Sequence, residues 1–182
     1  MTDDTANRRR RSIMLATGLA IGAAALGATV SWRRLLPTAA PDAAVARFYA
    51  MSLPDVAGQP FAFSGLTGHP LVVNFWATWC PPCVEEMPEL SALYRELSPD
   101  GLKMLGIGID SPARIADFSA RTPVSYPLVA AGMGGTDLGR EFGNAAGVLP
   151  YTVVIDAKGR IAHRIVGRLK LDALRQQLAG LG

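Results

Sequence analysis

The stretch that most limits what this 182-residue chain can become is Leu71-Val72-Val73-Asn74-Phe75-Trp76, introduced by Gly68 and Pro70 and running on through Ala77-Thr78-Trp79 into Cys80-Pro81-Pro82-Cys83. A continuous apolar, β-prone run of this kind predicts a strand buried on both faces. From Cys80 onward Met87, Leu90, Leu93, Tyr94 and Leu97 recur at three- and four-residue spacing, which predicts a helix over Cys80 to Leu97 with a kink at Pro88. A buried strand passing through a short loop into a helix is the opening of an α/β sheet. It also sets both of the chain's cysteines at a helix amino terminus.

The rest of the chain extends that pattern. Leu102 to Ile109 reads as a second buried strand after the turn Ser98-Pro99-Asp100-Gly101, and Ser111-Pro112 starts a helix with serine as N-cap and proline at the first position. Tyr126 to Ala130 reads as a short strand and Thr136 to Phe142 as a short helix. Tyr151 to Asp156 and Ile161 to Val166 form a hairpin around Ala157-Lys158-Gly159-Arg160, and Leu169 to Leu178 is a closing helix. Ahead of the first buried strand, Phe48 to Leu53 and Gln59 to Phe63 flank Pro54-Asp55-Val56-Ala57-Gly58 as a further hairpin. With 49% hydrophobic and 18% charged residues there is ample material for a packed core. The expectation is one domain with a central mixed β-sheet covered by helices on both faces.

The amino end differs in kind. Arg8 to Arg11 precede an uncharged stretch from Ser12 to Trp32 that Arg33 and Arg34 close. As a helix this stretch would span roughly 30 Å, enough for a bilayer core. The denser positive charge before it places Arg8 to Arg11 in the cytoplasm and exports the chain beyond the span. The expected organisation is residues 1–36 as a cytoplasmic arginine-rich end and signal-anchor in the inner membrane, 37–46 as a tether rich in Ala and Pro, and 47–182 as the folded domain in the periplasm. Competing readings are a cleaved signal peptide with Ala44-Val45-Ala46 as its site, which leaves a soluble periplasmic product, and a twin-arginine start at Arg10-Arg11. The net charge of +3 is concentrated in these arginines and the body is slightly acidic, so no nucleic-acid surface is expected.

Two cysteines allow three uses. A zinc site needs two more ligands, and His69 and His163 are far apart and in no pair spacing, so no metal is expected. A purely structural disulfide closing so short a loop removes little entropy from the unfolded chain. A redox dithiol fits best, because a cysteine at a helix amino terminus has its thiolate stabilised by the dipole and by free N–H groups. Pro81 and Pro82 supply no N–H, so only donors from Cys83 onward can point at the Cys80 sulfur. A modestly stabilised thiolate leans towards a reductant.

The blocks Val72-Val73-Asn74-Phe75-Trp76-Ala77-Thr78-Trp79-Cys80-Pro81-Pro82-Cys83, Glu86-Met87-Pro88 and Gly147-Val148-Leu149-Pro150-Tyr151-Thr152-Val153-Val154-Ile155-Asp156, with Gly159 beyond, closely resemble the TlpA/ResA-like branch of the thioredoxin superfamily. The resemblance covers nearly all of residues 48 to 180. It implies a thioredoxin fold with an N-terminal hairpin extension and a periplasm-facing thiol-disulfide oxidoreductase with no cofactor beyond its own disulfide. Cys80 is then the attacking thiol, Cys83 the resolving thiol and Pro150 the cis-proline beside them. It also implies a membrane electron donor of the DsbD/CcdA kind, and as substrates the disulfides of exported proteins: apocytochrome c or the copper-site assembly proteins of cytochrome oxidase.

Asn74 stands where cytoplasmic thioredoxins have a buried aspartate, a replacement common in this branch, and cannot act as a base. Val84 stands where Lys or Arg is frequent, and Tyr151 replaces a glutamate common in the cytochrome c maturation members. Glu86 admits two readings, a proton relay to the cysteines or a solvated carboxylate favoured in the first helical turn. Glu85 and Glu89 get only the second. Trp79 and Trp76 resemble the rim and floor of the site, with Trp76 equally explicable as core. His163 is given no role, and Gly132 to Gly135 lacks the residues of a phosphate loop. A disulfide-forming oxidase and a copper-binding metallochaperone using Cys80 and Cys83 stand as rival functions, the latter without Met or His clusters near the cysteines.

Overall fold

The structure, a computed structural model, describes residues 42–181. The expected membrane span and the tether up to residue 41 lie outside the described residues, and no described helix is long and apolar enough to cross a membrane.

The first described element is a helix that the sequence did not suggest. Asp42 caps α1 (Ala43–Tyr49), its carboxylate accepting from the Ala44 N–H at 2.9 Å, and its own N–H reaches the Gly159 carbonyl at 3.2 Å. Ala44, Val45 and Phe48 are buried, with the Phe48 ring 4.7 Å from Phe63 and 5.5 Å from Phe142. Ala43 to Ala46, expected as part of the tether over 37–46, therefore belong to this helix, as do Phe48 and Tyr49, expected in a strand. Three apolar residues in an alanine-rich setting make too short a stripe to read as a helix; the aromatic pocket beneath them decides the matter. The hairpin itself is β1 (Ser52–Pro54) and β2 (Pro60–Ala62), closed by Asp55, whose carboxylate accepts from Ala57 and Gln59. A 3-10 turn, Phe63–Leu66, comes next.

The central sheet has five strands, β3 (Leu71–Trp76), β4 (Lys103–Gly108), β5 (Leu128–Ala130), β6 (Tyr151–Ile155) and β7 (Ile161–Val166), in the order β5-β4-β3-β6-β7. β3 runs parallel to β4 and antiparallel to β6. Every residue of β3 is buried, as its apolar run predicts. By strand alternation Val72 and Trp76 enter one core with Cys83, Met87, Leu90, Ile115, Phe118 and Leu174. Leu71, Val73 and Phe75 enter the other with Phe48, Phe63, Leu138 and Phe142. The helices α2 (Pro81–Leu97), α3 (Pro112–Arg121) and α5 (Leu171–Ala179) thus cover one face, while α1 and α4 (Gly134–Glu141) cover the other. Asn74 shares the parity of Val72 and Trp76, so it faces α2.

Candidate active site

The site forms where β3 ends and α2 begins. Cys80 is the N-cap of α2 with extended backbone, and Pro81 and Pro82 start the helix where a missing N–H costs nothing. Cys80 and Cys83 are joined by a disulfide, with Cα atoms 5.3 Å apart. Cys83 is fully buried, Cys80 is 5% exposed and Trp79 beside it is 61% exposed. The amides of Cys83 and Val84 both bond the Cys80 carbonyl oxygen, at 3.1 and 3.2 Å. The sequence left only donors from Cys83 onward able to point at the Cys80 sulfur; an N-cap's carbonyl takes the first helical bonds, and here it holds these two.

Pro150 follows a cis Leu149–Pro150 bond and is buried. The pairing of Phe75 with Tyr151 sets it level with the end of β3. Trp79 and Leu149 line a common cleft of about 460 Å³ with Ile109, Asp110 and Met133. The loop carrying Trp79 is held from below by Thr78, whose hydroxyl donates to the nearly buried Asp110 carboxylate; Asp110 also accepts from the Ser111 N–H at 3.1 Å. Trp76 is fully buried with its ring 4.9 Å from Phe118, so it is core beneath the site.

Glu86 has no solvent exposure at all. The reading of it as a solvated first-turn carboxylate is corrected, while Glu85 and Glu89 are exposed as expected. One oxygen of Glu86 accepts from the Asn74 side-chain amide at 2.8 Å, the other from the backbone N–H of Leu169 at 2.9 Å. Asn74 also donates to Thr152 at 3.0 Å, and its carbonyl oxygen has no partner among the described residues. Burial pushes the Glu86 carboxyl above its usual range, against the two N–H donors and the Arg168 charge. The buried phenol of Tyr126 is raised too, by burial and by the nearby Glu86 charge. Asn74 cannot act as a base, but the acid touching it from the helix can.

Sequence reasoning named Cys80, Cys83, Glu86 and Pro150, and missed Asp110, Thr152, Tyr126 and Leu169. The last acts through a backbone N–H, which no side-chain pattern reports. Asp110 gave a faint signal, an acid at the end of a buried strand directly before a helix cap. Among the described residues no group of three or more His, Cys, Asp or Glu side chains could hold a metal ion.

A dithiol at the start of a helix, a cis-proline beside its loop and a buried acid one turn along define a thiol-disulfide oxidoreductase on a thioredoxin fold. The chain belongs to the redoxin family, whose model matches residues 37–178. It is similar to the thiol-disulfide oxidoreductase ResA of Geobacillus thermodenitrificans, at 30% identity over 71% of this chain and 72% of that protein. The thiol:disulfide interchange protein HelX of Rhodobacter capsulatus is 36% identical over 67% of this chain and 66% of its own length. Among solved structures, a thiol:disulfide interchange protein of the thioredoxin family from Chlorobium tepidum superposes with a TM-score of 0.64 at 26% identity, covering 72% of this chain and 92% of that one.

Proposed function

We propose that this oxidoreductase is a reductant, tethered to the inner membrane by Ser12 to Trp32, with its dithiol in the periplasm. Its substrates are disulfides of exported proteins, apocytochrome c or copper-site assembly proteins of cytochrome oxidase, and a membrane donor of the DsbD/CcdA kind returns it to the dithiol. The observation that carries the direction is at the helix start: two prolines bring no N–H, and the amides of Cys83 and Val84 are engaged on a carbonyl. The Cys80 thiolate then receives little of the stabilisation that makes a dithiol strongly oxidising.

In the proposed cycle the Cys80 thiolate attacks one sulfur of a substrate disulfide, forming a mixed disulfide and releasing the first substrate thiolate. The Cys83 thiolate next attacks the Cys80 sulfur, restores the Cys80–Cys83 bond and releases the second. Two electrons pass to the substrate, and the buried Glu86 carboxylate, one turn beyond Cys83, takes up the proton that Cys83 gives up. Trp79, Met133 and Leu149 offer an apolar wall along which an extended substrate segment lies.

The measured potential should fall near that of thioredoxin, about −270 mV, and a value near −120 mV would make the protein an oxidase. In cells Cys83→Ser should accumulate mixed disulfides that vanish on reduction, Cys80→Ser far fewer, and the trapped partner names the substrate class.

A further inference from the structure

We propose that Arg168 is a positioning residue of the dithiol site: by forking across Glu85 and Glu89 it latches the segment Gly167 to Leu169 over Glu86, and so governs when water and protons reach that carboxylate. Three consecutive residues after β7 are each tied down. The Gly167 N–H donates to the Pro150 carbonyl at 2.8 Å. Arg168 donates from Nη1 to Glu85 at 3.2 Å and from Nη2 to Glu89 at 3.3 Å. Leu169 is buried and gives its N–H to Glu86 at 2.9 Å.

These ties differ in kind. Glu86 is otherwise enclosed by its own helix and by Asn74 of β3, which are parts of regular structure. The segment 167–169 is not. The next residue, Lys170, is the N-cap of α5 with no side-chain capping bond, so the helix start is held by the Leu174 N–H on the Lys170 carbonyl and by the packing of Leu169 and Leu171 rather than by a cap. The Arg168 pairs are solvent-exposed on both sides, and such pairs are weak and screened by salt. A weak outer latch over a buried acid is a cover that opens readily. The inference rests on the proposed proton-handling role of Glu86: an acid sealed in the core can serve each turnover only if something lets its proton out.

The groups that bear on Glu86 are Arg168 from this segment, Glu89 on α2, and Tyr126 from the stretch before β5, whose buried phenol stays neutral; Glu85 is exposed and pairs with Arg168, and Asn74 and Thr152 do not titrate. Removing the Arg168 charge alone would move the Glu86 titration upward. Releasing the cover removes burial, the largest cause of the raised value, together with the Leu169 N–H bond that lowers it; the first outweighs the second, so the net movement is downward. The two effects have opposite signs, so Arg168→Gln separates them.

The experiment is carried out on the oxidised full-length chain carrying 13C-labelled glutamate, with Glu86→Gln assigning the resonance. Neither reading depends on turnover, so failure of the proposed function and failure of the latch are distinguishable. Arg168→Gln should lower the Glu86 midpoint and speed exchange of the Leu169 amide about five-fold, as expected for losing two exposed pairs. High salt should do the same to the wild type. An upward or unchanged midpoint, or unchanged Leu169 exchange, overturns the latch.

Discussion

Replacing Glu86 by glutamine should stabilise the oxidised protein at neutral pH and erase a pH dependence that the wild type carries. Glu86 is raised in the folded state, so between the ordinary carboxyl value and its folded value the native protein holds a proton that the unfolded chain has released. Stability is then full below the unfolded value, falls by about 1.4 kcal/mol for each pH unit across the window, and levels off once the folded carboxyl has ionised. Glutamine keeps the contacts. Its oxygen can accept from Leu169 while its amide donates to the Asn74 oxygen, which has no partner among the described residues; a turn of the Asn74 amide brings that oxygen round, and the Thr152 hydroxyl then donates to it where it now accepts. Asp156, despite the cost of partial burial, is held below its usual range by donors from Arg160 and Lys158, and Glu96 is lowered by its hydrogen bond from Arg175. Their contributions are lost at lower pH and are common to both proteins. The assay is urea unfolding of wild type and Glu86→Gln at half-unit steps from about pH 4 to 8. A difference between the two that stays constant with pH would mean that Glu86 is ionised throughout, and its role as a proton store would fall.

Phe48→Ala should cost about 3–5 kcal/mol in unfolding free energy, because the ring is fully buried among Phe63 and Phe142; a loss under about 1 kcal/mol would return α1 to the tether. Thr78→Val strips the hydroxyl from the nearly buried Asp110 and should cost about 1–3 kcal/mol while broadening the environment of Trp79, read by thermal unfolding and by Trp79 fluorescence anisotropy. Gly106→Ala would set a Cβ 2.5 Å from Leu128 and 3.3 Å from the Trp76 indole nitrogen, so about 1–3 kcal/mol of overpacking strain is expected in denaturant melts. The full chain should remain in the membrane fraction after carbonate washing, and a soluble product starting near residues 40 to 47 would replace the anchor with a cleaved signal.

The strand, loop and helix from Leu71 to Leu97 were legible because each carries its own evidence: an unbroken apolar run, prolines in the first turn, and apolar residues at helical spacing. Ser111-Pro112 likewise marked the start of α3, with the serine accepting from the Arg114 N–H at 3.4 Å. What stayed hidden depends on partners distant in sequence. Glu86 reads as a solvated acid near a helix start until β3 sets Asn74 against it and the segment after β7 closes over it. Ala44, Val45 and Phe48 look like linker until Phe63 and Phe142 arrive. Local chemistry can be read along the chain, whereas burial of a short or polar segment is decided by what folds onto it.

The bond from Asp42 to Gly159 fixes where the chain enters the domain. Gly159 lies in the turn between β6 and β7, whereas Pro150 and Gly167, at the far ends of these strands, flank the dithiol. At about 3.4 Å per residue, the strands set these two points on the order of 20 Å apart. The described domain therefore begins at one pole and carries its dithiol at the other. Whatever joins the chain ahead of Asp42 meets the domain on the side away from its cysteines, and the dithiol end is left clear for partner proteins.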